Sequence, residues 1–117
     1  MVDRAQPDDG RHLELSVAEQ DGSATVAANG ELDIHTSVEL ERVLLQLADD
    51  QVKHVTVDLE GVTFIDSAGL RALVVGHNAL EQGGGTLQLQ NPSPMASRLL
   101  SITGLNDLFG VEDTTAG

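Results

Sequence analysis

The chain has 117 residues, with 19 acidic side chains against 6 basic ones and a formal net charge of −13. This length suits one domain with a single hydrophobic core, and the charge disfavours binding to nucleic-acid phosphates or anionic lipid. The sequence contains no cysteine, which excludes disulfides, thiolate catalysis and Cys-ligated zinc. No apolar run approaches the roughly 18 residues that a spanning helix needs, so we expect a cytoplasmic protein without membrane insertion.

The first elements in chain order are two strands joined by a hairpin. Residues 1–11 are mostly polar and are expected to form a flexible tail. Alternation of apolar and polar residues from Leu13 predicts a strand with one wet face, and it resumes from Ala24 in a second strand. Asp21-Gly22 between them is a strong signal for a hairpin turn.

An amphipathic helix is predicted next. Thr36 and Glu39 have the spacing of a capping box. Apolar residues then recur with the period of a helix that packs on a sheet: Leu40, Val43, Leu44, Leu47 and Ala48.

A third strand and a second helix follow. Val55 opens an alternating stretch that we expect to break at Glu60-Gly61, so that Asp58 lies at the end of a strand. After this break, the helix is predicted from Ser67 to about residue 82, where three glycines end it.

The start of this second helix carries the most informative residues of the chain. Asp66 suits an N-cap, because its carboxylate can accept hydrogen bonds from the free N–H groups of Ala68 or Gly69. Gly69 lacks a side chain, so we expect another molecule to be able to approach the backbone there. Ser67 adds a hydroxyl to this exposed helix terminus.

The last part of the chain predicts a short fourth strand and a third helix. Ser93 is the expected N-cap of that helix and Pro94 its first residue. Its predicted inner face consists of Met95, Leu99 and Ile102. Leu108, Phe109 and Val111 are expected to pack as a final turn or short strand before a tail at 112–117.

The order β-β-α-β-α-β-α indicates an α/β fold. A hairpin followed by crossover helices implies a mixed sheet of four to five strands, with the helices packed mainly on one side.

Three acidic residues at element ends raise the alternative of a magnesium-dependent phosphotransfer site. Asp33, Asp58 and Asp66 show no recognisable ligand spacing, so we interpret them as turn and helix caps and expect neither a metal nor a cofactor. The single Lys53 and the initial hairpin also disfavour a response-regulator receiver. Since no Gly-x-Ser-x-Gly motif surrounds Ser67, we expect no catalytic residue.

Two separated motifs resemble those of STAS domains, in particular of bacterial anti-sigma factor antagonists. One is Gly30-Glu31-Leu32-Asp33, before the first helix; the other comprises Phe64-Ile65-Asp66-Ser67, Gly69 and Leu70, with Asp58 upstream. The resemblance covers nearly the whole chain and implies a STAS domain at residues 12–111. It implies a non-enzymatic protein, a monomer or weak dimer, that binds an anti-sigma factor with a kinase-like ATPase fold and frees a sigma factor.

The resemblance also implies the site residues and one departure from the family pattern. Its phosphoacceptor motif corresponds to Asp66, Ser67, Ala68 and Gly69 here, and Ala68 occupies the acceptor position without an oxygen to phosphorylate. The predicted partner-binding residues are Glu31, Asp33, Thr36, Phe64, Ile65, Asp66, Ser67, Leu70 and Arg71. The alternative with the same fold is an accessory subunit of a membrane transport complex or a small-ligand sensor.

Overall fold

The computed structural model describes residues 12–112, which form one five-stranded sheet with helices between its parallel strands. The predicted tail at 1–11 and residues 113–117 lie outside the described range. In chain order the elements are β1 (Leu13–Gln20), β2 (Ser23–Leu32), α1 (Ser37–Asp49), β3 (His54–Ile65), α2 (Ser67–Gln82), β4 (Thr86–Gln90), α3 (Pro94–Thr103), a 3-10 turn (Leu105–Asp107) and β5 (Gly110–Glu112). Glu112, expected in the tail, thus lies in a strand.

The predicted mixed sheet is confirmed. Its strands lie in the order β1-β2-β3-β4-β5; β1 and β2 are antiparallel and every later pair is parallel. Each crossover therefore moves one strand further in the same direction, and right-handed crossovers of this kind place their helices on one face. Alternate strand residues on that face are buried: Ala24, Val26, Ala28, Val55, Val57, Leu59, Leu87 and Leu89.

The hairpin follows its sequence signal. Asp21 and Gly22 have φ values of 54° and 82°, the left-handed pair that a type I′ turn requires. This turn matches the twist of the flanking strands and fixes their register, with Val17 opposite Val26.

The predicted break in β3 is wrong, because the strand continues to Ile65. Two register shifts against β2, between Ala27 and Asn29 and between Gly30 and Glu31, each leave one extra residue in β3. These bulges accommodate Gly61 within the strand, so that β3 does not end there. They also change the burial period, so that Leu59, Val62 and Ile65 all face the core.

The predicted stripe of α1 is confirmed, but its capping box does not form. Leu40, Leu44 and Leu47 are buried. Thr36 makes no side-chain cap bond to the helix, because its hydroxyl is engaged with the preceding loop. Glu39 instead forms an ion pair with Arg42.

The N-cap of α3 is predicted correctly, and its inner face only in part. Ser93 Oγ accepts a hydrogen bond from Ala96 N at 3.0 Å. Ala96 and Leu100 are buried, and the predicted Leu99 packs partly buried against the core, whereas Met95 and Ile102 are exposed.

Candidate functional site

The two sequence motifs meet at one end of the sheet. β2 and β3 are parallel, so their carboxyl ends lie side by side, with Glu31 opposite Phe64 and Leu32 opposite Ile65. Asp66 N donates a hydrogen bond to the Leu32 carbonyl at 3.1 Å. The register therefore brings the Gly30–Asp33 motif against the start of α2.

The β2–α1 loop (residues 33–36) is ordered by a buried carboxylate. Asp33, only 1% exposed, accepts hydrogen bonds at Oδ1 from His35 N at 2.9 Å and Thr36 N at 3.0 Å. Since both donors belong to the same turn, the carboxylate holds the backbone in one conformation. The Ser37 N–H donates to the Asp33 carbonyl at 2.8 Å, which closes a helical turn.

Thr36 completes this loop. Its hydroxyl donates to the Glu31 carbonyl at 2.5 Å and accepts from Asp33 N at 3.0 Å. The hydroxyl thus joins the end of β2 to the first residue of the loop, and this is why it is not available as a helix cap.

The predicted N-cap of α2 is confirmed. Asp66 Oδ1 accepts from Ala68 N at 2.9 Å and from Gly69 N at 3.2 Å. Two of the orphan donors of the helix are thereby satisfied. Ser67 is exposed beside this cap, while Ala68 is half-buried.

The expectation that Gly69 leaves room for another molecule is wrong. Gly69 is buried, and a β-carbon there would lie 2.9 Å from both Ile65 Cγ1 and the Leu32 carbonyl oxygen. The missing side chain admits the chain's own β2 and β3, so this glycine allows the helix to sit against the strand ends. The accessible part of the helix start is Ser67.

The predicted partner-binding residues divide into an exposed and a buried group. Asp33, Ile65 and Leu70 are buried, so they support the site from below and cannot offer side chains to a partner docking on this chain. The others reach the surface at least in part: Glu31, Thr36, Phe64, Asp66, Ser67 and Arg71.

Two exposed apolar residues at this end of the sheet are not among the predicted partner-binding residues. Ile34 is 67% and Val38 63% exposed. A signal was present, because Val38 is out of phase with the buried stripe of α1 and Ile34 follows the acidic motif directly.

Within residues 12–112, no group of three or more His, Cys, Asp or Glu side chains is placed to hold a metal ion. In the same described range, no helix combines the length and apolar character needed to cross a bilayer.

Comparison with known proteins identifies a family and several relatives. The family model described as STAS domain matches residues 14–117. The anti-sigma-B factor antagonist of Staphylococcus aureus strain NCTC 8325 is 38% identical over 104 residues, which cover 89% of this chain and 96% of that protein.

Solved structures share the fold. An anti-sigma factor antagonist from Mycobacterium paratuberculosis is 27% identical and superposes with a TM-score of 0.76 over 85% of this chain and 84% of its own. The phosphorylated form of the Bacillus cell fate determinant SpoIIAA has a TM-score of 0.70 at 20% identity, covering 86% of this chain and 92% of that one. The latter likeness concerns the fold alone.

Proposed function

The chain belongs to the STAS-domain family, and we propose that it acts as an anti-sigma factor antagonist. The observation that carries this proposal is the similarity to the staphylococcal anti-sigma-B factor antagonist over almost the full length of both chains. The end of the sheet at which the two motifs meet also offers an accessible surface, whose backbone is held by hydrogen bonds. In this role the protein acts by binding in the cytoplasm, as a monomer or weak dimer, and needs no catalytic residue.

The proposed docking surface is built from the β2–α1 loop and the exposed start of α2. Phe64, Ser67 and Arg71 lie at the surface there, and the buried Asp33 and the Asp66 cap hold the backbone beneath them. A surface that is ordered before binding loses little conformational entropy on association. We propose that the partner is an anti-sigma factor with a kinase-like ATPase fold and that its capture releases a sigma factor.

We further propose that this antagonist lacks the phospho-switch at its family position. Ala68 has no hydroxyl, and Ser67 projects from the helix about 100° away from it, so a kinase aligned with one position does not reach the other. If a phosphate were added beside Asp66, the two negative charges would repel each other. Burying the phosphate under a docked partner would also cost desolvation free energy, so binding would be weakened. The chain thus remains competent to bind in the presence of kinase and ATP.

The experiment combines binding with intact-mass measurement. The anti-sigma factor of the host, incubated with this chain and Mg-ATP, should bind it without adding phosphate, whereas Ala68→Ser should gain one phosphate and lose affinity. Ser67→Ala serves as the control for phosphorylation of the neighbouring hydroxyl, because it should gain no phosphate, as the unaltered chain gains none. If the unaltered chain gains a phosphate that Ser67→Ala does not gain, the claim that phosphorylation does not regulate this chain is refuted. The proposed binding function is not affected by that result.

The transport-subunit alternative makes a different prediction. It requires co-purification with a membrane permease, or a bound small ligand, in place of an anti-sigma factor. The relative matched over 96% of its length carries the antagonist name, and this favours the regulatory role.

A further inference from the structure

Strand β1 forms one edge of the sheet that residues 12–112 build. Its register against β2 is unbroken from Leu13, opposite Gly30, to Gln20, opposite Ser23. Between Leu13 and Gln20 the strand contains neither a bulge nor a proline, two of the features that commonly protect an edge strand from further pairing. The edge is therefore a regular row of backbone donors and acceptors.

One backbone hydrogen bond shows which groups of β1 face outward. Glu31 N donates to the His12 carbonyl at 3.1 Å, so His12 bonds to β2. Residues of an antiparallel strand bond alternately to one side and to the other. The even-numbered residues of β1 therefore bond to β2, and the N–H and C=O groups of Leu13, Leu15 and Val17 point to the open edge.

The same three residues carry apolar side chains on the helix-covered face of the sheet. Leu15 lies opposite Ala28 and Val17 opposite Val26, and residues that lie opposite each other share a face. Ala28 and Val26 are buried, whereas Leu13 and Leu15 are only partly buried and Val17 is 42% exposed. The hydrophobic core thus continues to this edge without being fully covered there.

We propose that β1 pairs with β1 of a second copy of this chain, in an antiparallel register centred on Leu15. Leu15 then lies opposite its counterpart, and Leu13 of each copy lies opposite Val17 of the other. Each of these three pairs exchanges two backbone hydrogen bonds, so every outward donor and acceptor of the three residues finds a partner. A two-fold axis through the Leu15 pair relates the copies and joins their sheets into one.

The sequence of β1 is the reason for choosing a second copy as the occupant. In the register centred on Leu15, three apolar pairs form and Glu14 lies opposite Ser16, so no like charges are directly opposite within these pairs. Moving the centre by one or two residues toward the carboxyl end sets Glu19 opposite an apolar residue. A register that sets Glu14 opposite Glu19 would bring outward-facing backbone groups against residues that already bond to β2.

The net charge sets the strength of this association. Each copy carries a formal net charge of −13, so the two copies repel each other. Because salt screens this repulsion, the dimer is weak at low ionic strength and its dissociation constant falls as salt is added. This pairing does not rest on the proposed antagonist function, and its failure would leave that function untouched.

The test is sedimentation equilibrium of the full chain. From about 10 μM to about 1 mM protein, the unaltered chain should form a dimer, with a lower dissociation constant at about 0.5 M than at about 0.05 M NaCl. Val17→Glu places a carboxylate in an apolar pair and should raise the dissociation constant by about 10-fold or more. Ile102→Glu is the matched control, because it adds the same charge at a 72% exposed position of α3, away from β1, and should raise the constant by less than about twofold.

Amide hydrogen exchange supplies a second readout that needs no variant. The amides of Leu13, Leu15 and Val17 should exchange rapidly in dilute solution and slowly in concentrated solution, whereas the even-numbered amides of β1 should be protected in both. Both variants should keep the far-UV circular dichroism of the unaltered chain.

Three results would refute the pairing. One is a chain that stays monomeric over the whole concentration range at both salt concentrations. Another is a dimer that Val17→Glu and Ile102→Glu affect equally, with exchange in β1 that does not depend on concentration, because such a dimer uses a different surface. The third is protection of the Leu13, Leu15 and Val17 amides in the monomer, since another part of the same molecule would then cover the edge.

Discussion

Replacing Asp33 with alanine should destabilise the protein more than removal of a helix cap does. The carboxylate accepts two backbone N–H hydrogen bonds, at 2.9 and 3.0 Å, and is only 1% exposed. Leaving a buried donor without a partner costs about 1–3 kcal/mol. For two partly buried donors we expect Asp33→Ala to lower the free energy of unfolding by about 3 kcal/mol, a large part of a typical domain's stability.

Two variants calibrate this value. Asp33→Asn retains an oxygen that can accept both hydrogen bonds but removes the negative charge. Its free energy of unfolding should therefore fall by only about 1 kcal/mol. Asp66→Ala removes the N-cap of α2, for which about 1 kcal/mol is expected. Asp33→Ala should therefore be the least stable of the three variants.

Urea unfolding followed by far-UV circular dichroism is the suitable assay, because the sequence contains no Trp or Tyr for fluorescence. The urea concentration at the unfolding midpoint should be lowest for Asp33→Ala. The slope of the unfolding free energy against urea concentration should be the same for all three variants. If Asp33→Ala proves no less stable than Asp66→Ala, the β2–α1 loop is not ordered by the buried carboxylate. The account of a preformed docking surface would then be wrong.

The remaining predictions concern packing and a helix end. Gly76→Ala should destabilise by about 1–3 kcal/mol, because its β-carbon would lie 2.5 Å from Leu44 Cδ1 and 2.9 Å from Leu44 Cβ; a second substitution, Leu44→Ala, should show favourable coupling in a double-mutant cycle, and additive effects would contradict the contact. Gly69→Ala should also destabilise, despite alanine's higher helix propensity; a stabilised variant in urea unfolding would show that the helix start can move. Lys53→Met should cost about 0.5 kcal/mol, since Lys53 Nζ donates to the Gly83 carbonyl at the carboxyl end of α2, 2.5 Å away; a loss of the same size at high and low salt would argue against this charge–dipole contact.

Features with local causes could be predicted from the sequence. The hairpin at Asp21-Gly22 depends on backbone conformations within the turn, and the caps at Asp66 and Ser93 depend on donors two or three residues away. All three form as expected. The α/β order of the elements followed from such boundaries.

Features set by neighbours distant in the chain could not be predicted in the same way. On α3, Met95 lies one residue from Ala96 and Ile102 two residues from Leu100, so apolar residues occur on more than one side of the helix. Only the packing selects which of them are buried. The sequence likewise does not show what lies next to Gly69. Only the β2–β3 register shows that Leu32 occupies the space that a side chain at this position would need.

For the candidate site, the motifs predicted the location better than the individual contacts. Ile65 and Leu70 belong to the second sequence motif, and the structure buries both side chains beneath the site. Ile34 and Val38 were not among the predicted partner-binding residues, although Val38 is out of phase with the buried stripe of α1. The exposure of Ile34 depends on the hydrogen bonds by which Asp33 orders the loop.

The central claim is that this chain binds an anti-sigma factor and stays able to bind it in the presence of kinase and ATP. The most direct test is a calorimetric titration of the host's anti-sigma factor with this chain, before and after prolonged incubation of the two proteins together with Mg-ATP. The account predicts saturable binding with the same dissociation constant on both occasions and an unchanged intact mass. Absence of binding at any accessible concentration would contradict the antagonist function. Binding that disappears as phosphate is incorporated would contradict a surface that stays available.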